Sequence, residues 1–248
     1  MKSKKILIIS LPILFVLVVV FAVFMMFTVE KVNVDYTVFS GASKTQTIQD
    51  KFDTFLGKNL LTLNLGEVES VDVGSRYEIE SVKKTFPNLI EVKVIERKEA
   101  FLVEYNGTKY VVSDKGYVLD EYDGVNDKLV PIKLNGITLY QPVVGEMISS
   151  DHNEDLYNAI KLARLDCVVD ASKEVTVEYV GKTLRSVIFL THTDVKIRIS
   201  MPLENGEAKA EAVFDAYVNE ERDYIKSYNE IRVDDLADGK YRITWVKQ

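Results

Sequence analysis

The sequence predicts an α+β chain in three parts. These are a single N-terminal transmembrane helix, a small unit of order strand, helix, helix, strand, strand, and a larger mixed α/β unit with a meandering sheet. Three observations carry that prediction. Residues 6–27 hold no charged side chain and are dominated by Val, Leu, Ile, Phe and Met. Residues 86–121 read as strand almost without pause: Ile90, Val92 and Val94 alternate with Glu91, Lys93 and Ile95, and Asn106-Gly107 then reverses the chain. Apolar residues at helical spacing, such as Ile48, Phe52, Phe55 and Leu56, mark the helices between strands.

The apolar run comes first. As a helix it spans roughly 33 Å at about 1.5 Å per residue, against a hydrocarbon core of roughly 30 Å. It is longer than the apolar region of a cleaved leader, typically about 7–15 residues, and no small-x-small site follows it. Lys2, Lys4 and Lys5 precede it, so residues 1–5 are expected as a cytoplasmic tail, 6–27 as the span in the lipid bilayer, and the bulk outside.

Residues 29–39 then form a strand with Val32, Val34, Tyr36 and Val38 on one face. Ser40-Gly41 turns the chain, Ser43 with Gln46 makes a capping box, and Gly57 suits the end of the helix. Residues 66–74 allow a second short helix. Tyr77 to Phe86 and Asn88 to Glu96 read as two strands joined at Pro87, closing the small unit near Arg97. In the second unit, hairpin and turn signals at Asn106-Gly107 and Asp114-Lys115-Gly116 are followed by a loop-rich stretch, 122–150. Asp151 and Glu154 make a capping signature for a helix carrying Leu156, Ile160 and Ala163. Three strand-like runs follow, 174–180, 184–191 and 194–200. A long amphipathic helix is expected over 207–228, with Val213, Ala216, Tyr217, Tyr224 and Ile225 inward, and strands over 230–233 and 240–246.

Composition narrows the chemistry. The chain has 248 residues, 47% of them hydrophobic and 28% charged, as in an ordinary folded protein. Its net charge is −7. Without Lys2, Lys4 and Lys5, 28 Lys and Arg stand against 38 Asp and Glu, about −10, which argues against a nucleic-acid partner. Cys167 stands alone and makes no internal disulfide; a small, buried apolar role is expected of it. His192 with Asp194 invites a catalytic dyad, but no Gly-x-Ser-x-Gly elbow supplies a nucleophile, and a hairpin turn is the plainer reading. His152 beside Glu154 and Asp155 invites a metal, yet no further ligands cluster with it, and helix capping is expected instead. Glu96-Arg97 reads as a surface ion pair. No catalytic, metal or cofactor-binding residue and no small-molecule substrate is expected.

Four stretches carry a resemblance. "VEKVNVDYTVFSGAS", "IQDKFDTFLGKNLLTLNL", "IESVKKTFPNLIEVKVIER" and "YVVSDKGYVLDE" resemble, in order and spacing, the FtsQ/DivIB bacterial cell-division proteins. The first three match that family's POTRA domain: its opening strand and turn, its helix with a Gly-x-Asn-Leu element, and its closing strand pair. The fourth matches the start of its β domain. The resemblance implies a POTRA domain over 28–98, with Gly41, Asn59, Leu60, Pro87, Asn88, Glu96 and Arg97 as motif residues, and a β domain over 99–248.

It also implies a non-enzymatic, single-pass scaffold of the division septum. Its expected partners are other membrane-anchored division proteins of the FtsB/DivIC and FtsL type. In the family a partner is thought to add a strand beside the last β-domain strands. Here Tyr241, Ile243 and Trp245 alternate with Arg242 and Thr244 in the final strand, and with Tyr228 they are the expected partner-binding residues. Trp245 serves equally as a hot-spot anchor or as a cap on the core. The alternative reading is an exported envelope hydrolase or other cell-wall enzyme, which requires acid and base groups converging in a pocket.

Overall fold

The computed structural model describes residues 2–38, 45–126, 128–180, 183–220, 222–236 and 239–247; for 2–13, 45–46, 183 and 222–223 the description stops at the backbone. The chain divides into two compact units, Met1–Arg97 and Lys98–Gln248, each with its own core.

The first unit opens on helix α1 (Lys2–Met26). The expected transmembrane helix over 6–27 is not sustained. Among the described residues no helix is long and apolar enough to cross a membrane. The expected fold class is corrected accordingly: the described residues are β-rich, with 12 strands gathered into two sheets.

Beyond α1 come β1 (Lys31–Thr37), α2 (Thr45–Phe52), a single 3-10 turn at Asp53–Phe55, α3 (Leu65–Glu69), β2 (Tyr77–Thr85) and β3 (Leu89–Glu96). Strand β3 lies centrally, parallel to β1 and antiparallel to β2. Alternation buries Val32 and Val34 of β1 and Ile90, Val92 and Val94 of β3 on one face, where Ile48 and Phe52 of α2, Phe55, Leu60 and Val68 cover them. Helix α3 is capped at Asn64, whose side chain accepts from the Gly66 amide. The turn expected at Ser40-Gly41 and the capping Ser43 lie outside the described residues.

The second unit holds β4 (Glu99–Tyr105), β5 (Thr108–Ser113), β6 (Val118–Glu121), β7 (Val130–Asn135), α4 (Asn153–Ala163), α5 (Asp166–Val169), β8 (Ser172–Val180), β9 (Thr183–Thr191), β10 (Lys196–Ser200), α6 (Gly206–Asn219), α7 (Arg222–Ile225), β11 (Tyr228–Asp235) and β12 (Tyr241–Lys247). Nine of these are strands of one sheet, in the order β12-β11-β10-β9-β8-β7-β4-β5-β6. It is not a plain meander. β4 with β7, β7 with β8, and β10 with β11 run parallel; helices carry the chain across between the last two pairs, and β5 and β6 intervene between β4 and β7.

The loop-rich stretch 122–150 holds one strand, β7. One further expectation changes. The long helix expected over 207–228 divides: Glu220 turns extended at ψ 151°, α7 adds one turn, and Tyr228 already belongs to β11. At Asn106-Gly107 both residues take positive φ (50° and 83°), as the two-residue hairpin between β4 and β5 requires. Gly136 ends β7 at φ +83°, where an added Cβ would meet the Tyr179 carbonyl oxygen at 2.1 Å; only glycine fits there.

One face of the large sheet is apolar. Val175, Val177, Val187, Phe189, Ile197, Ile199, Ile231 and Val233 pack there beneath Leu156 and Ile160 of α4 and Val213, Phe214 and Tyr217 of α6. The other face, over β8 to β11, is polar and cross-linked. The Arg198 guanidinium donates to Glu178 (2.5 Å), Ser186 (2.9 Å) and Glu230 (2.7 Å), and Arg232 donates to the second oxygen of Glu230 (3.0 Å).

Candidate functional site

A sheet has two margins, and a margin is where unpaired backbone can be recognised. At one end of this sheet lies β6. At its first residue that margin is met by the chain itself: the Val118 amide donates to Glu146 O (2.9 Å) and the Gly145 amide donates to Val118 O (2.8 Å). At the other end lies β12, paired with β11 from Tyr241↔Asp235 to Lys247↔Tyr228. Among the described residues, no other segment bonds to the outer side of Tyr241–Lys247. Successive residues of such a strand aim their N–H and C=O alternately at the paired neighbour and away from it. About half the main-chain groups of β12 therefore point outward.

Side chains alternate across the same strand. Ile243 and Trp245 lie opposite Val233 and Ile231 and pack against the apolar core. Arg242 and Thr244 lie opposite Asp234 and Arg232 on the polar face. Trp245 thus joins the core through its own strand and remains half-buried, with its ring centroid 5.3 Å from Tyr228 and 6.0 Å from Tyr224. The Tyr228 hydroxyl donates to the Tyr224 hydroxyl at 2.7 Å, and the Lys247 ammonium stands 5.5 Å from the centre of the Tyr228 ring. That hydrogen bond, with burial behind it, raises the Tyr224 phenol above its ordinary pKa. Tyr228 is buried (8% exposed), whereas Tyr224 is open to solvent (46%), so the cluster is a wall beside the margin with one wet face. Residues 240–247 carry Lys240, Arg242 and Lys247 and no acid, in a chain of net charge −7.

The structure therefore brings Tyr228, Tyr241, Arg242, Ile243, Thr244 and Trp245 together on one strand pair. Tyr224, expected inward on a long helix, completes the cluster from the short helix α7 and is exposed there. The remaining motif residues lie in the first unit. Leu60 is fully buried, Glu96 is buried at the end of β3, and Asn59, Pro87 and Asn88 sit in two loops; Gly41 lies outside the described residues. The Arg97 guanidinium donates to Ser75 O (2.6 Å) and lies 3.6 Å from the Glu78 carboxylate.

The histidines are placed apart. His152 begins α4 and stacks on Tyr179, ring centroids 4.0 Å apart, but no side-chain bond caps the helix there. The Asp151 carboxylate, expected in that cap, accepts instead from the Thr138 amide (2.8 Å). His192 stands at the β9–β10 turn, where the Asp194 carboxylate pairs with Lys173. A cavity of about 740 Å³ beside it mixes both signs of charge, including Lys98, Glu99, Arg164, Asp166 and Lys173 over a floor of Phe101 and Leu129. Cys167 is half-buried, and burial pushes its thiol up, away from the reactive thiolate. Among the described residues, no three His, Cys, Asp or Glu side chains are grouped to hold a metal.

No family model matches the chain. A curated relative, the "Cell division protein DivIB" of Clostridium tetani (strain Massachusetts / E88), is 31% identical over 97 residues. That match covers 38% of this chain and 36% of the relative, so the chain spans little more than a third of the relative's length. Among solved structures, the major extracytoplasmic domain of the trans isomer of the cell-division protein DivIB from Geobacillus stearothermophilus aligns with 51% of this chain and 98% of its own, at 11% identity and a TM-score of 0.33. The sequence match bears out the likeness to the FtsQ/DivIB family that the four stretches carry.

Proposed function

We propose that this relative of the FtsQ/DivIB cell-division proteins is a non-enzymatic scaffold of the bacterial division machinery, acting at the septum by adding a partner's strand to the open edge of β12. The single observation that carries this reading is the contrast between the two margins of the nine-stranded sheet: the chain's own backbone meets β6 at Val118, whereas among the described residues no segment bonds to the outer side of β12. Strand addition draws affinity from main-chain hydrogen bonds and specificity from the side chains beside them. Here those are Tyr241, Arg242 and Thr244 along the strand, with Trp245, Tyr228 and Tyr224 as an aromatic wall. Division proteins of the FtsB/DivIC and FtsL type are the partners in this reading, and the residue run 28–98 serves as the POTRA domain that recruits the protein. The cations of 240–247 favour an acidic partner segment, so its binding weakens as salt rises.

Proline at two adjacent positions tests the edge directly. Ile243→Pro and Thr244→Pro each delete one amide donor, and because neighbouring amides point to opposite sides, one faces β11 and the other faces out. The variant that loses the inward amide should melt at lower temperature. The one that loses the outward amide should keep its melting temperature and lose capture of the partner in a pull-down from dividing cells. Full partner capture by both variants, in a chain that still melts as the parent does, would exclude recognition through the β12 backbone. A fluorescent fusion should form bands at mid-cell; uniform signal through the cell cycle would remove the septal role.

A further inference from the structure

Two sequence motifs of the first unit lie far apart in the chain, at Gly57–Leu60 and Phe86–Asn88, and the proposed role of β12 uses neither. Both close on the same short segment, residues 24–31, by which helix α1 leaves toward β1. The Gly57 amide donates to Val29 O (2.9 Å), the Val29 amide donates to Lys58 O (2.8 Å), and the Leu60 amide donates to Phe27 O (2.7 Å). The Asn59 amide group donates to Phe24 O (2.6 Å), one of the last carbonyls of α1, which also accepts from the Phe27 amide (3.2 Å). From the other side the Asn88 carbonyl accepts from the Glu30 amide (2.9 Å), and the Asn88 side chain donates to the Glu30 carboxylate (2.6 Å). The Phe86 ring meets the Phe27 ring edge-on, centroids 5.8 Å apart.

We infer that these two loops are the jaws of a clamp that makes α1 and the three-stranded sheet one rigid body. Whatever holds α1 then fixes the orientation of β1, β3 and β2 as well. A free connection of four or five residues would let the unit swivel, and each main-chain bond across 27–30 removes a rotation that swivelling needs. Asn59 is the positioning residue of the first jaw. Its carbonyl oxygen accepts from the Leu61 amide (3.0 Å) and shapes its own loop, while its amide group alone reaches α1. Gly57 permits the loop because it stands at φ +80°, a conformation L side chains rarely adopt.

Asn59→Asp separates these two roles. Aspartate keeps the acceptor for Leu61 and sets an oxygen against the Phe24 carbonyl in place of a donor. The full chain, kept in detergent for its exposed apolar residues 14–26, carries Cys167→Ser and spin labels on Leu17→Cys in α1 and Lys83→Cys in β2. The distance distribution between the labels should be a single narrow peak. It should broaden in Asn59→Asp and in Phe86→Ala, whose ring is 57% exposed and whose removal leaves the core intact. Peptide circular dichroism should melt at an unchanged temperature in Phe86→Ala. A broad distribution in the parent overturns the clamp, and so does an unaltered narrow peak when both substitutions are combined. Partner capture by β12 is read separately, so failure of the clamp and failure of the edge are distinguishable.

Discussion

At Lys209 the chain buries an entire lysine, with no exposed surface, in the first turns of α6. An ammonium out of water is costly unless each proton finds an acceptor. Here it donates to Ser200 O (3.1 Å), Met201 O (3.1 Å) and the Asp235 carboxylate (2.8 Å), so it ties the ends of β10 and β11 to one helix. Lys209→Met keeps most of the volume and strands two carbonyls and a carboxylate. Breaking a buried ion pair costs about 3–5 kcal/mol, and the lower end applies because Asp235 keeps about a third of its side chain in water. Urea unfolding should report that loss. Asp235→Asn, which keeps an acceptor for the ammonium, should lose less; equal stability of Lys209→Met and the parent would mean that the lysine holds nothing together. No reading of the sequence points to Lys209, since its only local sign is a charged residue on the inward face of a helix, where length and solvation normally carry lysine outward.

The elements that could be read in advance are those whose cause is local. Asn106-Gly107 specifies a hairpin because its two residues tolerate positive φ, and β4 and β5 close around it as expected. Ile243 and Trp245 alternate with Arg242 and Thr244, and that alternation sends the first pair to the core. The length of α6 could not be read, because Tyr217, Tyr224 and Ile225 share a helical stripe whether or not the chain breaks at Glu220. Nor could the ladder across β8, β9, β10 and β11, because Glu178, Ser186, Arg198 and Glu230 become neighbours only through strand order. Its electrostatics give a prediction. Burial alone would raise the Glu178 and Glu230 carboxyls, but hydrogen bonds from Ser186 and Arg198 to the former, and from Arg232 and Arg198 to the latter, outweigh it and hold both below the ordinary carboxylate range. A depressed folded pKa contributes stability that is complete above the unfolded value, about 4.3, and that is lost as pH falls through the folded value. The melting temperature should therefore drop on acidification below about pH 4. In Arg198→Met, which releases both carboxylates, that drop should be shallower. Parallel curves for the two proteins would show that the ladder does not tune these groups.

Across the whole molecule, two separate cores make two separate stabilities. Phe52, fully buried, lies at the centre of the first unit beside Ile90 and Val92, and the second unit's core draws on none of these residues. The only tryptophan, Trp245, belongs to the second unit and to the strand proposed as the docking edge, so its fluorescence reports on that unit alone. Phe52→Ala removes a buried ring, a change that costs about 3–5 kcal/mol in a packed core. The loss should appear as an early transition in circular dichroism, while the tryptophan fluorescence melt stays where it was. The proposed function assigns the two units different tasks: α1, its clamp and the small sheet would set where the molecule is held, and the open margin of the large sheet what it holds. Under that arrangement Phe52→Ala should impair recruitment to the septum and leave capture of the partner by β12 unchanged in a pull-down below the first transition. A shift of the fluorescence melt together with the early transition would mean that the two units unfold as one, and the assignment of recruitment and capture to different units would lose its physical basis.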